Sequence, residues 1–299
     1  MTSLAILTPS IAADYERCVD LNRSVLEHSD SSVEHYIVVP ARDQVLFSQL
    51  SGRRTHIRVE SEFLPRSFVR VPRTKYTVNV RHPYPPVRGW ILQQIVKLAA
   101  AAEIPADVVV MADSDITFCR PLRPETFVRD GVVRLYGLPD GVHEGMPRYV
   151  LWHNVARTLL GLPATAEAPL PDYVSSMLAW DPALVRAMLA RITEVTGRSW
   201  ANAIGGQLRF SEWTLYGVFV DEVLGAPANS FASDDPLCHT YWPEEPLDAA
   251  GLDAFLAGIA PDDIAVMISA KSRTPMDLQR AAMAKLPQFA PLLEPPAGR

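Results

Sequence analysis

The amino-acid sequence predicts an α/β protein with a mostly parallel sheet flanked by helices. Short apolar runs alternate with helix-spaced segments over the first sixty residues, the β-α-β-α-β order from which parallel sheets are built. The run VVVMA at 108–112 has no polar alternation, as expected of a central strand covered on both faces. A helix-spaced segment, RGWILQQIVKLAAAA, feeds directly into that run.

Taken in order, residues 4–7 form the first strand, ended by Thr8-Pro9-Ser10. A helix over 14–28 sets Tyr15, Cys18, Val19, Leu21, Val25 and Leu26 on its apolar side. EHYIVVP (34–40) is the second strand, DQVLFSQL (43–50) a short helix, and 55–59 the third strand. Ligands of such sheets gather at the carboxyl ends of the strands, where Thr8-Pro9-Ser10 lies. Residues 60–89, rich in Pro and Arg, have no clean period and are expected to be a surface excursion or a functional loop. In the helix before VVVMA, Ile91, Ile95, Leu98 and Ala102 share one face, and Trp90, Gln94, Lys97 and Ala101 share a semi-polar one. Asp181-Pro182 starts a helix that buries Leu184, Met188 and Ile192. FSEWTLYGVFVDEVLG is a helix with Ser211 as N-cap and Glu212 in the first turn. An AVMISAKS strand and a helix from about Pro275 close the chain, with a frayed LLEPPAGR tail.

The chain has 299 residues, a hydrophobic content of 48% and a charged content of 21%, which is ordinary globular composition with enough length for a substantial core. A formal net charge of -6 without any block of like charges argues against a nucleic-acid partner. Cys18, Cys119 and Cys238 form no C-x-x-C pair, so neither a disulfide framework nor a structural zinc site is expected. The opening MTSLAILTPSIAAD lacks a basic n-region, and no uncharged apolar run reaches the roughly 18 residues of a membrane helix. These features lead to the expectation of a soluble, cytoplasmic protein.

The chemistry centres on where VVVMA ends. Carboxylates are almost never buried unless paired or metal-bound, so Asp113 and Asp115 belong where the strand emerges. Extended backbone sends both to one side, with Ser114 opposite. Two acids on one side suit a shared hard cation, Mn²⁺ or Mg²⁺, whose shell is completed by water and substrate phosphates. A solvated turn is the competing explanation. Lys97, close in sequence, is expected either to neutralise a phosphate or to snorkel at the surface. There is no G-x-G-x-x-G and no P-loop, which speaks against a dinucleotide cofactor or a Walker-type ATPase.

The stretches ILTPS, PVRGWILQQIVKLAAA, MADSDITF, FVRDGVVRLY, FSEWTLYGVFVDEVLG and DDPLCHTYW occur in an order that resembles nucleotide-sugar glycosyltransferases of the GT-A fold. More specifically, it resembles an uncharacterised bacterial domain-of-unknown-function family of glycosyltransferase-like proteins with a DSD (DXD-type) motif. The resemblance implies one GT-A domain, a Rossmann-like nucleotide-diphospho-sugar transferase fold. Its nucleotide-sugar half is 1–120 and its acceptor half, with the C-terminal helix, is 121–299. It further implies a metal-dependent hexosyltransferase that moves a sugar from a nucleotide-diphosphate donor, UDP-linked by first expectation, to a hydroxyl of a small molecule or glycan. Asp113, on the ribose side, and Asp115 would hold the metal, with His239 as a third ligand. Thr8, Pro9, Ser10, Arg88, Gln94, Lys97 and Ser114 would meet the donor. Glu212 resembles the helix-start base of inverting enzymes, with Asp172 and Asp235 (or Asp234 beside it) as competitors. Inverting and retaining outcomes both stay open. Aromatics around Trp152, His153, Tyr173 and Trp180 are either acceptor-stacking or core.

Two other readings compete. A nucleotidyltransferase also uses paired acids on an α/β sheet, but usually with a Gly-rich basic first loop, which TPSIAADYERC lacks. A noncatalytic nucleotide-sugar-binding protein would bind donor and metal without turnover.

Overall fold

A computed structural model describes residues 2–71, 74, 76–225 and 229–289 of the chain. The expected LLEPPAGR tail, residues 292–299, lies outside them, as does Lys75.

The central sheet has five strands in the order Met177–Trp180, Val108–Ala112, Leu4–Pro9, Glu34–Val39, Thr55–Val59. All neighbours run parallel except Met177–Trp180, which is antiparallel at one edge. The α/β class and the mostly parallel sheet flanked by helices are therefore those read from the sequence. The unalternating runs have a direct cause, since both faces are covered. Ala5, Leu7, Val109 and Met111 pack with Ile91, Ile95 and Leu98 of the helix Gly89–Glu103. The intervening Leu4, Ile6, Val108 and Val110 pack with Leu21 and Val25 of the helix Tyr15–His28 on the other face.

The second half of the chain is woven into the first. Met177–Trp180 completes the central sheet, and Ile116–Phe118, just after the acids, pairs antiparallel with Ala265–Ile268. The latter strand pairs parallel with Cys238–Tyr241. This small sheet clamps the exit of the acidic strand.

Three details differ from the sequence reading. Residues 60–89 are not simply irregular, because Phe68–Arg70, Thr77–Asn79 and His82–Val87 form a small antiparallel sheet. The strands are three to six residues long and the longest, HPYPPV, is half proline, too little to show a period. The helix Pro182–Thr196, capped by the Asp181 carboxylate on the Ala183 and Leu184 amides, buries Val185, Met188, Leu189 and Ile192, while Leu184 is only half-buried. Glu212 opens a helix that is α-helical only to Val218 and continues as a π-helix over Phe219–Gly225. Its N-cap is as read from the sequence, with the Ser211 hydroxyl accepting from the Thr214 amide at 3.3 Å.

Candidate active site

The carboxyl ends of the central strands open into two compartments that share Asp113 and Asp115. The larger, about 370 Å³, reaches over the ends of the first two strands and includes Pro9, Ser10, Pro40 and Arg42, with Gln93 from the long helix. The smaller, about 190 Å³, lies on the other side of the acids and includes Gln94, Lys97, Ser175, Ser176 and Glu212. A drug-sized ligand needs roughly 300 Å³ or more, so the first compartment has room for one and the second only for a smaller group.

Lys97 organises the ground between them. Its side chain is 6% exposed, and its Nζ lies 3.0 Å from Asp113 Oδ1 and 3.5 Å from Glu212 Oε1. It also sits 4.9 Å from the centre of the Trp213 ring. Burial alone would favour the neutral amine, yet Asp113 and Glu212 together outweigh it and hold the Lys97 pKa above its ordinary value. Lys97 is thus neither a surface snorkeller nor, in this arrangement, committed to a phosphate.

Glu212 is buried at 2% exposure and is positioned from three directions. Gln94 Oε1 accepts its backbone N–H at 2.9 Å, the Trp213 indole N–H donates to its Oε1, and Lys97 lies beside the same oxygen. Gln94 is itself anchored, donating to the Trp90 carbonyl at 3.3 Å. Burial raises the Glu212 pKa above the usual carboxylate range, opposed chiefly by Lys97. A carboxyl so tuned is a better proton acceptor near neutral pH than an exposed one.

Asp115 shows the strongest sign of an unmet charge. Burial, and then the neighbouring Asp113, push its pKa up to about 6, although its Oδ2 accepts the Ala270 amide at 2.9 Å. Three carboxylates, Asp113, Asp115 and Glu212, face a single ammonium here. The donor set therefore fits a hard divalent cation held by Asp113 and Asp115 with the remainder of its shell from phosphate and water. Among the described residues, no group of three or more His, Cys, Asp or Glu side chains is arranged to hold a metal.

The structure thus brings together Pro9, Ser10, Gln94, Lys97, Asp113, Ser114, Asp115 and Glu212 along one pair of compartments. The Ser10 hydroxyl is buried there without a hydrogen-bond partner. Other expected residues are engaged elsewhere. Thr8 is fully buried and bonds His35 Nε2 at 2.9 Å, in a network that continues to Asn22 and Thr55. Arg88 donates to the Leu208 carbonyl at 3.3 Å. Asp172 and Asp235 accept amides two residues ahead, from Val174 and Leu237 at 2.9 Å, as turn-forming aspartates do. His239 Nε2 lies 2.8 Å from the Phe255 carbonyl and its ring stacks on Phe255 at 4.3 Å, so that nitrogen serves as a donor to backbone rather than as a ligand. None of these five is among the residues lining the two compartments. Of the four aromatic positions considered for an acceptor, Trp152 lines the smaller compartment, whereas His153, Tyr173 and Trp180 are core.

Sequence reasoning missed Ser175, Ser176, Trp242 and Arg42. They come from three separate segments with no shared spacing, and only the tertiary fold collects them.

Mouse xyloside xylosyltransferase 1, in a crystal structure of its apo form, is similar over 91% of this chain and 100% of that chain, at 10% identity and a TM-score of 0.46. No curated protein matches the sequence. The family model described as a family of unknown function (DUF6492) matches residues 3–291. With that match running almost from end to end, the chain belongs to the DUF6492 family.

Proposed function

We propose that this protein is a metal-dependent glycosyltransferase of the GT-A kind, moving a sugar from a nucleotide-diphosphate donor, UDP-linked in the first instance, to an acceptor hydroxyl. One observation supports it above the rest: an acidic pair at the end of a central parallel strand separates a nucleotide-sized compartment from a smaller one that contains a buried, oriented glutamate. A transferase needs these two spaces on either side of one reacting carbon.

In this reading the donor lies over Pro9, Ser10 and Arg42, with its diphosphate toward Asp113 and Asp115. A Mn²⁺ or Mg²⁺ ion held by those carboxylates would act as a Lewis acid for the leaving diphosphate. Glu212 accepts the proton of the acceptor hydroxyl as its oxygen bonds to the anomeric carbon and the bond from that carbon to the diphosphate breaks. That role belongs to a direct, inverting displacement. Lys97 keeps the two carboxylates it touches apart in function, neutralising part of their charge and fixing the Glu212 oxygen. Gln94 and the Trp213 indole set the direction of the carboxyl.

The test is a thermal-shift series with UDP, GDP, TDP and CMP, each with and without Mn²⁺. A ligand at about 100 times its Kd adds about 2.7 kcal/mol, at roughly 2–4 °C per kcal/mol for domains of 150–250 residues. One diphosphate should shift the wild type only with metal, and Asp115→Asn should lose that shift. A metal-independent shift, or one retained in Asp115→Asn, removes the metal assignment. A metal-dependent shift without hydrolysis or transfer turns the reading into that of a binding protein.

A further inference from the structure

Four of the chain's six tryptophans, Trp90, Trp152, Trp213 and Trp242, line the smaller compartment. Ordinary core packing does not account for this concentration, because Trp242 is 58% exposed and Trp90 41% exposed. Trp242 presents ring surface to a ligand at the mouth, Trp90 beside it carries the Arg148 guanidinium on its ring, and Trp152, 5% exposed, and Trp213 form the inner wall. The Trp152 indole N–H is buried without a hydrogen-bond partner. Ser175 and Ser176 and the carboxylates of Asp113 and Glu212 add hydrogen-bonding groups to the same walls.

We propose that this compartment is a carbohydrate site, and that the acceptor is a sugar whose ring stacks on Trp242 while one of its hydroxyls meets Glu212. This assignment rests on the transferase reading above and gives its acceptor a chemical class. A pyranose has apolar C–H faces, which suit the electron-rich face of an indole, and an equatorial rim of hydroxyls, which suits carboxylates and serines. The compartment's 190 Å³ limits the enclosed part to about one ring, with further units of a glycan passing Trp242 into solvent.

An aromatic box beside acids is also the chemistry of quaternary-ammonium recognition, and the charges decide against it here. Cations of the protein already occupy the ring faces: Lys97 Nζ lies 4.9 Å from the Trp213 ring centre, and the Arg148 guanidinium 5.2 Å and 4.7 Å from those of Trp90 and Trp152. A cationic ligand would meet both. A purely apolar aglycone would strip water from the Asp113 carboxylate, 47% exposed, and give no hydrogen bond in return, whereas the hydroxyls of a polyol supply one.

The experiment follows tryptophan emission of the full chain, with UDP and Mn²⁺ present, while methyl glycosides and short oligosaccharides are titrated. At least one saccharide should give a saturable change. Trp242→Ala, which removes an exposed side chain and spares the core, should raise its Kd roughly tenfold and keep the UDP–Mn²⁺ thermal shift. Saturation by tetramethylammonium or p-nitrophenol with no response to any saccharide overturns the assignment, as does a saccharide Kd unchanged in Trp242→Ala. The donor reading fails separately, by absence of the UDP–Mn²⁺ shift, and the saccharide titration repeated without nucleotide still tests this site.

Discussion

Glu212 and Lys97 show how burial turns ordinary charged residues into a tuned pair. Either alone would be costly at this depth, and removing one leaves an uncompensated charge. The pair is also not neutral in its surroundings, since Asp113 shares the ammonium. If Glu212 is the proton acceptor, Glu212→Gln should keep donor affinity and the partnership with the Trp213 indole, while kcat falls by about 10²–10⁴. Initial-rate kinetics with saturating donor check this, and near-normal turnover would take the base role from Glu212. The sequence showed an acid in a first helical turn, a common dipole-favoured placement. It did not show that Gln94 and Lys97, more than a hundred residues earlier, converge on that acid, because convergence of distant side chains leaves no spacing pattern.

The element that carries Glu212 is held from behind by a close backbone contact. A methyl at Gly217 would lie 2.2 Å from the Tyr173 ring, and the Tyr173 hydroxyl donates to Asp221 in the π-helical continuation. The ring thus fixes the height of the helix whose first turn bears the glutamate. Gly217→Ala should destabilise by about 1–3 kcal/mol or more, the cost of overpacking a tight site. Gly52→Ala, where a methyl meets nothing within 4 Å, should change stability by no more than about 0.5 kcal/mol. Urea unfolding of both variants measures the difference, and equal stabilities would mean that the ring yields freely. Helix spacing and the Ser211 cap made this element legible from sequence. Its switch from α to π at Phe219 was not legible, because the same apolar residues serve either winding.

At the scale of the whole molecule, the first three strands and the first helix are joined by a buried polar network, Thr8–His35–Asn22–Thr55. Desolvation, and then His56, lower the His35 pKa from 6.5 to about 3, so the ring is neutral in the folded state. With its Nδ1 facing Asn22 Oδ1, an oxygen that also accepts from Thr55, the ring donates there and accepts the Thr8 hydroxyl at Nε2. The unfolded chain takes up a proton below pH about 6.5 and the folded chain does not until about 3. The contribution of neutral His35 is therefore complete above the first value and is lost as pH falls between the two, at up to about 1.4 kcal/mol per pH unit. The difference in unfolding free energy between wild type and His35→Gln should shrink as pH falls through this window. A pH-independent difference would mean that His35 is protonated within the fold.

The sequence by itself determined the class of fold and the place of the acids. Uninterrupted runs such as VVVMA and EHYIVV are stable only between two helical layers, and paired acids at the end of such a run must emerge at a strand terminus. Local chemistry of that kind is written in consecutive residues. Which polar side chains face the resulting cleft was decided only by the tertiary structure. Thr8 and Ser10 flank the same proline, yet one is sealed into a network between strands and helix and the other lines the larger compartment. Lys97, on a semi-polar helix face, was open to reading as a phosphate partner or as a surface residue, and the helix starting at Glu212, packed over it, rules out the surface. The tryptophan wall, drawn from four distant segments, exists only where the chain's two halves close around Asp113 and Asp115.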